Sequence, residues 1–396
     1  MADSAELPLD ILSVIAERSH SMEDFIFFGA VCKSWQSSTL ILERKPPLPI
    51  TYPWLMLAET MDTKRKQDVH IRCFLSLLTS KAYELRLPEA IGRKCFGAGY
   101  GWLMTIGTDL QINLLHPFSR QQICLPPMLT FPVQYDYNDK FPPRDFYYFF
   151  VRKIVMSSNP GKKKSSPNYN PDCIVAAIYG EVDILAFARL GDSVWTNITV
   201  PSRSYDDIVY YSGKFYAVDC HGVVVVCDLD DDNGPKAIVV APAPTKTRDS
   251  IQKYLVESAG ELLLVSRIRG GTLFEADDKK KKAKSRYYTI GFSILRLEEC
   301  RGEGNKYAYS LVELNTLGDQ ALFLGHNVST SLSSSECKGT FKANCIYFTD
   351  DNFELYSHEP GGGGNDAGIF DMEKGTIELN YGRDFRSYTS PSLWYL

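Results

Sequence analysis

What this chain of 396 residues lacks narrows its class first. No apolar run approaches the roughly 18 residues that a membrane-spanning helix needs. The opening MADSAELPLD has neither a basic n-region nor an apolar h-region. No secretory signal is therefore expected, and the chain reads as soluble and intracellular. Its ten cysteines are scattered and include no C-x-x-C pair. In a reducing compartment they read as small buried apolar residues, not as a disulfide framework. The sequons Asn197-Ile198-Thr199 and Asn327-Val328-Ser329 are then chance matches. Neither sign of charge is in large excess: the net charge is -5 and the pI about 5.8. Nothing global recommends a nucleic acid or an anionic membrane as partner. The basic runs Lys162–Lys164 and Lys279–Lys282 are local and read as solvated loops. A nuclear-import role for the second run is the other reading.

Motifs that carry chemistry are also missing. The six histidines (His20, His70, His116, His221, His326, His358) show no H-x-x-x-H or Cys/His zinc spacing. Asp228, Asp230, Asp231 and Asp232 lack the glycine and terminal glutamate of a calcium loop, and read as a solvated acidic turn after a strand. Gly97-Ala98-Gly99-Tyr100-Gly101-Trp102 has Trp102 where a dinucleotide loop needs its third glycine, so a turn into a strand is expected. No G-x-S-x-G element occurs. No cysteine has a local setting that lowers its pKa, and the last one, Cys345, sits in a strand-like run. No catalytic, cofactor-binding or metal-binding residue is expected, and the chain is not expected to be an enzyme.

What is present points to two regions. Residues 7–42 carry helical spacing. Pro8 suits a first helical turn, where a missing N–H has no partner to lose. Ile11, Leu12 and Ile15 follow, then Phe28, Val31, Cys32 and Trp35 at i, i+3, i+4 and i+7. Ser21 is a cap for a second helix. Lys45-Pro46-Pro47-Leu48-Pro49 stops the pattern. The resulting boundaries are a helical module over 1–45, a linker over 46–52 and a β-rich domain over 53–396.

From about Pro53 short aromatic and apolar runs alternate with Gly, Asp, Asn and Pro. The chain holds 23 Tyr, 21 Phe, 28 Gly and 21 Pro, a composition of many short strands joined by turns. Gly101–Ile106, Leu110–Leu115 and Gln122–Leu125 read as a three-strand meander. Ile174–Tyr179 pairs with Ile184–Arg189, and Lys214–Val218 with Val223–Cys227. Glu261–Val265, Thr289–Leu297, Cys345–Phe348, Gly368–Asp371 and Gly375–Glu378 continue the series. The units recur every 40 to 60 residues, the pattern of propeller blades. The expected fold is therefore α+β multidomain: a small N-terminal helical module followed by a mainly antiparallel β domain, a β-propeller. Two stacked sheets are the second reading. Residues 157–172, 276–286 and 358–367 read as surface loops. Trp54, Trp102, Trp195 and Trp394 read as blade anchors rather than a ligand-facing set.

A family resemblance joins the two regions. Leu7-Pro8-Leu9-Asp10-Ile11-Leu12, then Asp24-Phe25 and Val31-Cys32-Lys33-Ser34-Trp35, resembles the F-box motif, with Gln36 where Arg is usual. The remainder resembles the plant F-box proteins described as kelch-like or KIB-type. Pro53–Leu57, Tyr83–Glu89, Gly101–Leu103, Leu114–Phe118, Gly213–Val218, Lys253–Ser258, Leu317–Gly325 and Asn344–Phe348 carry the likeness. His116 stands where that family usually has Asn.

The resemblance implies a substrate receptor of a Skp–cullin–F-box ubiquitin ligase, in the cytoplasm, the nucleus or both. It implies that Leu7, Pro8, Ile11, Leu12, Ile15, Val31, Cys32 and Trp35 dock on a Skp-type adaptor, and through it on cullin. The β domain would hold a target protein through residues the sequence does not name. The competing class is a propeller binding protein or propeller enzyme whose F-box-like helices pack internally or dimerise.

Overall fold

The computed structural model describes residues 7–17, 28, 35, 53–59, 70–132, 149–161, 169–244, 252–272, 286–300, 307–352, 362–379, 386–387 and 390–395. Among them are one α-helix, α1 (Leu9–Glu17), and twenty-five strands that form six sheets.

The sheets are blades arranged around an axis. Blade 1 holds β1 (Trp54–Met56), β2 (Ile71–Ser76) and β3 (Ala82–Arg86). Blade 2 is β4 (Lys94–Gly99), β5 (Trp102–Ile106), β6 (Ile112–Leu115) and β7 (Gln122–Cys124). Blade 3 is β8 (Val151–Met156), β9 (Ile174–Tyr179), β10 (Ile184–Arg189) and β11 (Thr196–Asn197). Blade 4 is β12 (Tyr205–Tyr211), β13 (Lys214–Asp219), β14 (Val224–Asp228) and β15 (Lys236–Ala241). Blade 5 is β16 (Gln252–Ser258), β17 (Glu261–Thr272), β18 (Arg286–Glu299) and β19 (Tyr309–Glu313). Blade 6 holds β20 (Gln320–Leu324), β21 (Thr330–Ser333), β22 (Cys345–Phe348), β23 (Gly368–Asp371) and β24 (Thr376–Leu379). The last strand, β25 (Leu393–Tyr395), pairs antiparallel with β1 and completes blade 1. The ring is thus closed by joining its first and last strands in one sheet.

Blades 2 to 5 are plain antiparallel meanders. The first turns of blades 2, 4 and 5 use one device. Tyr100-Gly101, Ser212-Gly213 and Ala259-Gly260 each place two successive residues at positive φ. That geometry matches the twist of a two-residue hairpin and requires glycine at the more demanding position. Blade 6 departs from the pattern. β20 pairs with β22 in parallel, and β21 folds back antiparallel on the other side of β20.

Six apolar clusters lie between successive blades. One, for example, packs Phe131, Tyr179 and Trp195 between blades 2 and 3, and another packs Phe292, Phe348 and Phe370 between blades 5 and 6. A middle strand is covered on both faces by its neighbours. Runs such as Val175–Tyr179 and Leu262–Val265 are therefore continuously apolar instead of alternating. Trp54, Trp102, Trp195 and Trp394 are each at most 3% exposed, as blade anchors should be.

The expected α+β class is corrected. Among the described residues the protein is nearly all β, a six-bladed propeller with one nine-residue helix. No helical module is seen there. Among the described residues the backbone hydrogen bonds lie mostly in strand ladders, and this sets the class; most of the stretch 18–42 falls outside those residues. The second-helix cap at Ser21, the linker 46–52, and residues 162–168, 276–285 and 358–361 of the three expected loops fall outside the described residues.

Candidate functional site on the propeller face and the N-terminal helix

The innermost strands β4, β8, β12 and β16 touch one another around the axis. All four start at the same face, here called the entry face. Antiparallel meanders then place the β5–β6, β9–β10, β13–β14 and β17–β18 turns, and the links between blades, on that face too.

Charged pairs sit inside the inner strands, Arg152-Lys153 in β8 and Asp206-Asp207 in β12, and inside the second strand of blade 5, Arg267 and Arg269 in β17. Lys153 forms an ion pair with the fully buried Asp207. Ser329 donates to Asp207 Oδ2 at 3.1 Å and accepts from Lys153 Nζ at 3.3 Å. Ser329 belongs to the segment that leaves β20 and enters β21. This segment crosses the axis. Val328 N donates to Gly97 O at 2.9 Å in blade 2, and Gly97 N donates to His326 O at 3.0 Å. Ser331 bonds Ser258 of blade 5 at 2.9 Å. Residues 326–331 thus touch blades 2, 3, 4 and 5 and plug the axis. Gly97 makes room for the plug: a Cβ there would lie 2.8 Å from Asn327 Cβ and from Trp394 O. Asn327, in one of the two sequons, is 3% exposed in this plug and cannot carry a glycan in the folded chain.

Above the plug a cavity of about 30 Å³ opens toward the entry face. It is lined by Arg152, Lys153, Asp206, Gln252, Tyr254, Gly325, His326 and Asp351. That space suits one or two waters, not a substrate. Burial raises the Asp206 carboxyl to about 7 and lowers His326 to about 3.

A second polar cluster clasps blade 5 to blade 6. Arg267 donates to Thr289 Oγ1 (2.8 Å), Thr349 O (2.9 Å) and Asp366 O (2.9 Å), and pairs with the Asp366 carboxylate at 3.0 Å. Arg269 pairs with Asp351 and, at 3.3 Å, with Asp366. Tyr254 donates to Asp351 at 2.6 Å, and Tyr287 to Asp350 at 2.7 Å. Burial alone would raise the Asp351 carboxyl, but Arg269 and Arg267 outweigh it and hold it below the usual range. The clasp fixes the outer part of the β17–β18 hairpin, which presents Tyr288 and Ile290, each about half exposed, on its open side. Every charge here has a partner, so the cluster is built to hold blades together.

The N-terminal helix offers a different surface. Leu7, Ile11, Val14 and Ile15 recur at i, i+4, i+7 and i+8, and each is more than a third exposed. Leu9 is exposed as well. Pro8 O accepts the first helical bond, from Leu12 N at 3.0 Å. Among the described side chains of the helix, Leu12 alone is fully buried.

These features can be set beside known proteins. Residues 74–371 match the KIB1-4 beta-propeller family, covering strands in all six blades. The chain belongs to that family. Among its relatives in Arabidopsis thaliana, F-box protein SKIP23 is 29% identical over 405 aligned residues, covering 96% of this chain and 91% of the relative. F-box protein At2g17036 is 26% identical, with 96% and 91% covered, and F-box protein At2g26160 is 24% identical, with 87% and 95% covered. The resemblance to plant F-box proteins with a KIB-type domain is therefore borne out, and at the level of the family it supports a substrate-receptor role.

Of the eight residues expected to dock an adaptor, Leu7, Pro8, Ile11, Leu12 and Ile15 lie in or just before α1. Trp35 is half-buried with its ring centroid 4.3 Å from that of Phe28. Val31 and Cys32 lie outside the described residues. Asp228 ends β14, and Asp230, Asp231 and Asp232 lie in the turn after it, with Asp231 paired to Lys236. The axial and clasp charges escaped the sequence reading. Their signal was present: Arg or Asp pairs inside otherwise apolar strand runs, which a fold tolerates only when partners are supplied.

Proposed function

We propose that this KIB-family chain is the substrate receptor of a Skp–cullin–F-box ubiquitin ligase, working in the cytoplasm, the nucleus or both. The N-terminal segment docks a Skp-type adaptor, which connects it to cullin. The propeller holds the target protein on its entry face. The chain itself does no chemistry: rate comes from the raised effective concentration of target lysines near the charged conjugating enzyme.

The observation that carries this reading is the apolar face of α1. Leu7, Ile11, Val14 and Ile15 are exposed within a stretch that matches the F-box motif, on a chain whose relatives bear that name. Burying two isoleucines contributes about 3 kcal/mol or more to an interface, at roughly 1.5 to 3 kcal/mol each. The plugged axis adds support, since a propeller enzyme needs an open central site and residues 326–331 occupy it.

The test is co-purification of the full chain with a Skp-type adaptor beside the Ile11→Asp/Ile15→Asp variant. These two positions are exposed, so the variant keeps the fold, whereas Leu12 is buried and is left intact. The native chain is expected to bind and the variant to lose about tenfold or more in affinity. A native chain that does not bind, or a variant that binds equally well, rejects the proposal.

A further inference from the structure

The entry face carries a groove of about 350 Å³ at the junction of blades 1 and 2. One wall is the β3–β4 link, with Glu89, Ile91 and Arg93. The other is the β5–β6 turn, with Gly107, Thr108 and Asp109. Asn113 of β6 and Gln122 of β7 line the groove between them. The size is that of a small-ligand site.

The charges on the walls are already committed to one another. Arg93 Nη1 donates to Asp109 Oδ2 at 3.1 Å, and Arg93 Nη2 to Gln111 O at 2.8 Å. Glu89 Oε1 accepts from Arg120 Nε at 2.9 Å. Gly107 is what permits the first pair, because a Cβ there would sit 2.4 Å from Arg93 Nη1. Gly92 N donates to Glu59 Oε1 at 2.9 Å, which anchors the link at its midpoint. The walls are therefore held in place and carry no net charge. Two buried wall atoms have no partner among the described residues: the acceptor Glu89 Oε2 and the donor Arg93 Nε.

A charged occupant would compete with these ion pairs for its counter-charge. An apolar occupant would cover polar groups and give them no hydrogen bonds. What remains is an uncharged occupant that both donates and accepts. Two primary amides, Asn113 and Gln122, and the Thr108 hydroxyl suit a third amide, since each can donate and accept at once.

We propose that this groove is a recognition subsite for an uncharged carboxamide, the side chain of a glutamine or asparagine in an extended segment of the bound target. The assignment rests on the reading of the propeller as the part that holds the target. Its test needs neither target nor adaptor, so it fails independently of the adaptor docking described above.

The probe is N-acetyl-glutamine methylamide, with the glutamate, lysine and leucine analogues as comparisons. Binding to the purified full chain is read by saturation-transfer difference NMR. The glutamine derivative is expected to give a signal several-fold above the other three. In Asn113→Ala/Gln122→Ala that signal should fall to the level of the leucine analogue, with the thermal midpoint unchanged because both residues lie at the surface of the blade. Gly107→Ala, which displaces the Arg93 guanidinium, should lower it as well. No signal from the glutamine derivative, equal signals from all four probes, or a signal that survives in the double variant would each overturn the assignment.

Discussion

His116 shows how one residue is tuned by the fold. It sits at the turn after β6, half-buried beside Trp102, with ring centroids 5.3 Å apart. Its Nδ1 accepts from Ser119 N at 3.2 Å, so the neutral ring is the one that fits. Burial lowers its pKa to about 4. Between the ordinary value of 6.5 and about 4 the unfolded chain binds a proton there and the folded chain does not. Stability from this residue is therefore full above about pH 6.5 and is lost as pH falls through that window. His116→Asn, which restores the usual family residue, can still accept from Ser119. It is expected to flatten the acid limb by up to about 3 kcal/mol, at 1.36 kcal/mol per pKa unit. Urea midpoints measured from pH 7 to pH 4.5 check this, and parallel curves for variant and native chains would refute it. The position was legible from sequence as a departure from the family pattern. The reason for its low pKa was not, because burial beside Trp102 depends on the packing of the turn.

Among the elements, the β17–β18 hairpin depends most on a partner blade. Its arginines, Arg267 and Arg269, find their counter-charges in Asp351 and Asp366, which follow β22 and precede β23. Arg267→Met keeps the apolar stem beside Phe348 but leaves two buried carboxylates short of their counter-charge. Removing one member of a buried pair typically costs about 3 to 5 kcal/mol. The variant should unfold at markedly lower urea, and proteolysis should reach the hairpin first. An unchanged midpoint would mean that Arg269 alone holds the clasp. The strand pairs themselves were readable: Ile174–Tyr179 with Ile184–Arg189 is found as the antiparallel pair of β9 with β10. The parallel β20–β22 pair was not readable, because nothing local in either run selects a parallel neighbour over an antiparallel one.

For the whole molecule, closure is the decisive event. β25 supplies only three residues, yet Trp394 and Tyr395 are buried and Tyr395 donates to Gly101 O at 2.7 Å in blade 2. A chain ending at Ser392 would leave blade 1 without its inner strand and expose the apolar groups that Leu393, Trp394 and Tyr395 cover. Deleting one such aromatic side chain costs about 3 to 5 kcal/mol, and the deletion removes two. The truncated protein is expected to run as soluble aggregate in size-exclusion chromatography and to lose cooperative thermal unfolding. A monodisperse, cooperative truncated chain would show that the ring holds without its closure.

The sequence by itself determined the strand runs, their turns and the apolar anchors, because these follow from residue spacing and turn chemistry within a few positions of each other. It also carried the motifs that placed the chain in its family. The blade count, the axial plug, the clasp between blades 5 and 6 and the polar groove at blades 1 and 2 were decided only by the tertiary structure. Each joins groups far apart in the chain, such as Arg267 with Asp366 or Gly97 with Val328. The closed ring sets those distances, and no local pattern encodes them.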